Sequence, residues 1–255
     1  MRAVLATLRA AFSEAWANRG GFWGQIAAML VNDGVWVLFW LLFFHKVGTL
    51  RGWNGNGVLL LLAVLTTSAG LTLGVFANSR AIGRLAAQGE LDAALALPVP
   101  PLAYLLVRRV EPIYLGDLTF GIVLFAVAGH PTPERIAVYV VGVLAAAVLL
   151  TGFLVTTGSL SFFVGRNDVG ELSFHAMLLF ASYPVDVFGG AGKLLLYTAL
   201  PAAFIGAVPS RLLRDFDPGV MALVCAVAAG FALLGWASFT LGLRRYASGA
   251  VWTRA

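Results

Sequence analysis

Cysteine, histidine and charge are scarce in this sequence, and each scarcity removes a class of function. Cys225 is the single cysteine among 255 residues, so neither a disulfide framework nor a multi-cysteine metal site can form within one chain. It sits in an apolar segment, where the expected role is that of a small buried hydrophobe. The three histidines, His45, His130 and His175, fall at or near the ends of apolar stretches, without the i, i+4 pairing of a helical metal site. They read as interfacial or solvated. No Gly-x-Ser-x-Gly elbow is present, and the cysteine has no evident base beside it. GGAGK at Gly189–Lys193 superficially looks like a phosphate loop, but Val187 and Leu194 stand where that motif needs Gly and Ser or Thr. The chain therefore carries no catalytic machinery of its own and is expected to bind no cofactor.

Charged residues make up 11% and apolar residues 60%, against about 25% and roughly 45–50% in soluble domains. Such an apolar surplus has to face something other than water. Several windows run without charge for the ~20 residues that cross ~30 Å of hydrocarbon. The expected fold is all-α: a polytopic membrane protein with an N-terminal interfacial helix over 2–19, spans at 22–44, 58–77, 105–128, 136–164, 172–190 and 220–243, and a re-entrant segment at 194–208. No Ser-rich, Pro-rich or charged linker divides the chain, so one bundle is expected. In the first segment Leu5, Leu8, Phe12, Ala15 and Trp16 recur at helical spacing, as in a helix lying in the interface. A cleaved signal peptide is disfavoured because Arg9 and Glu14 interrupt its apolar stretch.

The net charge of +5 does not point to nucleic acid, because Lys and Arg sit between the apolar runs and make no basic face. Topology accounts for it. With six crossings and both termini inside, eleven cations (Arg2, Arg9, Arg19, Arg80, Arg84, Arg108, Arg109, Arg166, Arg244, Arg245, Arg254) lie on one side. Six (Lys46, Arg51, Arg135, Lys193, Arg211, Arg214) lie on the other. The richer side is cytoplasmic. The region from Leu172 to Val208 is too long for one span, and a second crossing there changes the tally only to ten against seven. The six-span reading with a re-entrant element is preferred by that margin.

Charges at bilayer depth raise a functional question by default. Asp33 and Asp117 are the candidates for buried polar contacts, while Glu111, near Arg108 and Arg109, reads as an interfacial ion pair. Gly70 and Gly74 form a GxxxG step that permits close helix approach and could serve as a dimer seam. The loop from Arg80 to Pro101 places Arg80, Arg84, Gln88 and Asp92 four residues apart, which makes one polar stripe on a helix. Gly89 is expected to break that helix and Pro98, Pro100 and Pro101 to end it. A helix projecting into the cytoplasm to receive a protein partner is the reading that explains the loop's length.

The strings QGELDAALALPVPPL (Gln88–Leu102), YPVDVF (Tyr183–Phe188) and ALPAAFIGAVPSRLL (Ala199–Leu213) resemble the membrane subunits of bacterial type-2 ATP-binding-cassette (ABC) exporters, in particular short six-span permeases without a fused ATPase. Leu97, where a basic residue is expected, and Asp186, where a small or polar one is expected, depart from that pattern. The resemblance implies a multi-pass permease of the bacterial plasma membrane that exports substrate. Its partners would be cytoplasmic nucleotide-binding ATPase subunits, which hold the ATP and Mg, and a second permease, identical or related. It implies ATPase coupling through Arg80, Arg84, Gln88, Glu90, Leu91, Asp92 and Leu95, with the N-terminal helix, and a pathway lined by Thr66, Thr67, Phe76, Phe180 and Tyr183. A proton-coupled secondary transporter using Asp33 or Asp117 and a membrane scaffold are the alternative readings.

Overall fold

The computed structural model describes residues 2–165 and 168–246; Arg166 and Arg254 of the charge tally lie outside the described residues. In chain order the helices are α1 (Arg2–Ala17), α2 (Arg19–Val47), α3 (Gly55–Val75), α4 (Ile82–Ala87), α5 (Glu90–Leu95), α6 (Pro101–Val107), α7 (Pro112–Ala128), α8 (Pro133–Ser159), α9 (Ser161–Val164), α10 (Val169–Ala181), α11 (Gly190–Tyr197), α12 (Ala207–Leu212) and α13 (Pro218–Leu243). Local chemistry starts the long ones. Asn18 accepts from Gly21 N at 3.0 Å, Asn54 from Gly57 N at 2.8 Å, and Asp217 from Gly219 N at 2.7 Å. Each satisfies a backbone donor that the first helical turn leaves without a partner. Pro112, Pro133 and Pro218 occupy first-turn positions, where the missing N–H costs nothing.

Contacts between the segments assign two ends to the bundle. At one end Arg80, after α3, pairs with Glu111 before α7 at 2.8 Å and with Glu171 in the first turn of α10 at 2.9 Å. At the other, Asp186, after α10, accepts from Trp53 Nε1 of the α2–α3 connection at 2.8 Å. The chain passes from end to end of the bundle in α2, α3, α7, α8, α10 and α13 among the described residues, and of these α2, α3, α8 with α9, and α13 are each long and apolar enough to cross a membrane. Lys193 and Arg211 both pair with Asp186, so the segment between them leaves from and returns to the same end. It is re-entrant. Its two limbs, Gly190–Tyr197 and Ala202–Leu212, meet at 60° beside Pro201. Residues 201–210 are all buried, while Thr198 and Ala199 at the bend are exposed.

Two expected boundaries move. The helix expected over 105–128 is two, α6 and α7, inclined by 79°. Pro112 forces Glu111 into an extended conformation (φ −111°, ψ 104°), and Glu111 N donates out of the helix to Gly74 O at 3.1 Å. The fifth crossing is only 13 residues of helix, ending at Ala181 rather than near 190. That is roughly 20 Å of rise, and the Pro184 turn and a short 3-10 helix supply the rest.

α3 and α8 form the core, while α2 and α13 lie outermost. Close approach is built on glycine. A Cβ at Gly70 would lie 2.7 Å from the Tyr114 carbonyl oxygen and closer still to the Leu118 backbone of α7; one at Gly152 would lie 2.5 Å from the Phe231 backbone of α13. The Gly70 and Gly74 step is therefore occupied within the chain by α7 and does not serve as a dimer seam. Apolar side chains project outward from α2 (Val31, Val35, Leu38, Leu42) and α13 (Leu223, Leu233, Trp236), as spans in lipid require. Cys225 is exposed on α13, contrary to its expected burial, because it lies on the outward side of an outermost helix. α1 carries Trp16 against Phe22 and Trp23 at ring separations of 5.0 and 6.0 Å, with the Arg19 guanidinium over Trp16 at 5.6 Å. An aromatic and cationic cluster of that kind suits the headgroup level.

Candidate functional site

At the Arg80 end, α4, α5 and α6 fold into a compact element rather than one projecting helix. Gly89, at φ 74°, ends α4 and caps α5, a left-handed turn that suits glycine. Ile82, Leu85, Leu91, Ala94 and Leu105 form a small core with Val155 of α8 and Phe239 of α13. The polar stripe is thereby divided. Arg84 donates to Gln88 at 3.0 Å, and Glu90 pairs with Arg108. Gln88, Asp92, Leu95 and Leu97 remain at the surface, and Leu91 turns in. Arg80 faces the bundle: besides its two carboxylates, its guanidinium lies 5.4 Å from the Tyr114 ring and 4.9 Å from that of Phe174. Nothing local in the sequence flags this three-helix junction, since its acids lie 31 and 91 residues away.

In mid-bundle, α2, α3, α7 and α10 form a half-open cavity of about 170 Å³ that Asp33 and Asp117 line together with Trp36, Thr66, Phe120 and Leu178. The aspartates are 5% and 3% exposed and their carboxyls are within hydrogen-bonding reach of each other. Sequence spacing could not pair them, because they belong to different helices. Of the expected pathway residues only Thr66 is here. Thr67 shares a 2.5 Å hydrogen bond with Tyr139 on the other side of α3, and Phe76 lines a separate apolar groove between α3, α8 and α13. Phe180 packs on Phe188 at 5.7 Å, and Tyr183 packs edge-on against Trp40 at the same separation. The five are spread over different surfaces and do not outline one passage.

At the opposite end, Asp186 gathers what sequence reasoning left separate. Its carboxylate receives Trp53 Nε1, Lys193 at 2.7 Å and Arg211, and its carbonyl oxygen accepts from Arg51 at 2.7 Å. Trp53 is fully buried with Arg211 and Arg214 over its ring at 5.3 and 4.9 Å. Partial burial there lowers the Arg214 pKa from the ordinary guanidinium value, though a guanidinium stays charged. One acid thus pins both limbs of the re-entrant element to the α2–α3 connection.

Four helices long and apolar enough to cross a membrane, two bent apolar pairs and a compact helical platform at one end define a multi-pass membrane protein. More narrowly, the family model of the ABC-2 family transporter protein matches residues 30–250. The chain belongs to that family, whose members are the non-catalytic membrane components of ABC transporters and associate with an ABC ATPase. Neither the curated proteins nor the solved structures contain a significant match to it.

Proposed function

We propose that this permease exports substrate across the bacterial plasma membrane, driven by separate nucleotide-binding subunits that dock on the α4–α5 platform and working beside a second permease. The observation that carries the reading is the platform itself. It presents apolar Leu95 and Leu97, 45% and 41% exposed, beyond the bundle, while Arg80 at its root ties the ends of α3, α7 and α10 together. A push on the platform is therefore delivered to three spans at once. The cation tally supports a cytoplasmic location for this end, where ATP is present, and for both termini.

Purification from native membranes is expected to bring down a Walker-motif ATPase, and Leu95→Asp with Leu97→Asp to reduce its recovery at least about tenfold, the effect of burying charge in an apolar contact. Association that survives the double substitution removes the platform as the docking surface. The buried Asp33–Asp117 pair favours one other reading, proton-coupled secondary transport. Uptake into inside-out vesicles decides between them: export requires ATP and persists with an uncoupler, whereas secondary transport needs no ATP and is abolished by one.

A further inference from the structure

Buried carboxyls with no cation beside them are a costly feature for an apolar bundle to retain. Asp33 Oδ2 and Asp117 Oδ1 have no hydrogen-bond partner among the described residues, and both side chains line the 170 Å³ cavity. No Lys, Arg or His is among its lining residues. Two carboxylates this close in an apolar wall cannot both stay charged without compensation. A cation brought into the cavity would supply that compensation.

We infer that this cavity is a binding site for the protonated amino group of an amphiphilic substrate, with Asp33 and Asp117 as its charge partners and Thr66 as a third acceptor. Thr66 donates its hydroxyl proton to Leu62 O at 2.9 Å, so its free lone pairs can only accept. Two carboxyl oxygens and one hydroxyl oxygen then match the three N–H donors of a primary ammonium. Size and lining separate this ligand from a bare metal ion. The space exceeds several times the ~30 Å³ share of one water, and Trp36, Phe120 and Leu178 offer apolar and aromatic walls instead of further oxygen ligands. Indole and phenyl faces suit the organic part and the cationic head alike.

The inference rests on the export reading for its physiological meaning, but binding is measurable without the ATPase. Radiolabelled benzylamine and its neutral counterpart benzyl alcohol are titrated onto the full-length protein in lipid nanodiscs, with empty nanodiscs correcting for partition. Benzylamine is expected to bind saturably and benzyl alcohol at least about tenfold more weakly, the effect of losing a charge-assisted contact. The near-isosteric pair Asp33→Asn and Asp117→Asn together is expected to abolish the preference for the amine, and Thr66→Val to weaken amine binding several-fold in a protein that keeps both acids. Equal binding of amine and alcohol, no saturable binding of either, or amine binding unchanged in the double variant overturns the site. Amine binding by a protein that recovers no ATPase would instead sink the export reading and leave the site standing.

Discussion

Replacing Arg80 by methionine keeps the length of the side chain and removes its charge, so the loss measures what the junction of α3, α7 and α10 contributes. The pair with Glu111 is mostly shielded, with side chains 16% and 20% exposed, and Glu171 is 46% exposed. The second pair is therefore discounted as a surface interaction, and most of the effect comes from Glu111, left in a partly buried site with only the more exposed Arg109 at 3.5 Å. With the Tyr114 and Phe174 ring contacts, the change is expected to cost about 3 kcal/mol, roughly a hundredfold in the unfolding equilibrium. Reversible unfolding by SDS in mixed micelles, followed by tryptophan fluorescence, provides the measurement. The ordering of single neutralisations is as informative as the total: Glu111→Gln should cost more than Glu171→Gln, and Arg80→Met with Glu111→Gln should recover part of the single Arg80 loss. A loss below about 0.5 kcal/mol for Arg80→Met, the range of ordinary surface changes, would refute the assignment of Arg80 as a packed junction.

Two further substitutions test the other contacts that set the architecture. Gly70→Val places a side chain where the α7 backbone already lies and is expected to cost about 3 kcal/mol or more, read as lost monodispersity in detergent, whereas Gly24→Ala, with open space around it, should be neutral. Asp186→Asn keeps an acceptor for Trp53 but removes the charge shared by Lys193 and Arg211; faster amide hydrogen exchange across 190–212 is expected, and unchanged protection there would show that packing alone holds the re-entrant element.

Elements governed by composition and local chemistry were readable from the sequence. Apolar length located the spans, Gly89 broke the loop helix, and Pro201 marks the bend of the re-entrant segment. Charge counting preferred re-entry over a further crossing by a small margin, and Lys193 and Arg211, on the two limbs of that segment, both pair with Asp186. What could not be read depends on which helices become neighbours. The GxxxG step of Gly70 and Gly74 carries no information about whose backbone fills it. Pro112 signals a break, but the 79° turn also reflects where Gly74 O receives the freed Glu111 N–H. Asp33 and Asp117 were recognisable as costly charges, yet only tertiary packing joins them, and the same packing spreads Thr67, Phe76, Phe180 and Tyr183 over different surfaces.

The walls of the carboxyl cavity and the roots of the platform are the same helices, and that identity constrains how the molecule can work. Thr66 belongs to α3, Asp117 to α7 and Leu178 to α10, and those three are the helices that Arg80 joins. Asp117 lies six residues from Glu111, roughly 9 Å along one helix axis at 1.5 Å per residue, so α7 connects the ion-paired root to the cavity directly. Asp33 stands apart, on α2, which has no carboxylate or cation in the Arg80 junction. The fourth wall, α2, meets the others through packing, at Gly116 of α7, where Met29 and Ile26 of α2 leave no room for a side chain, and at Tyr183, edge-on to Trp36 and Trp40. In the proposed site, closing the distance between Asp33 and Asp117 strengthens the hold on a cation and opening it exposes two carboxyls to be compensated by other means. Under the proposed coupling, an affinity change at mid-membrane follows from movement at one end without any alteration of the residues that make the contact.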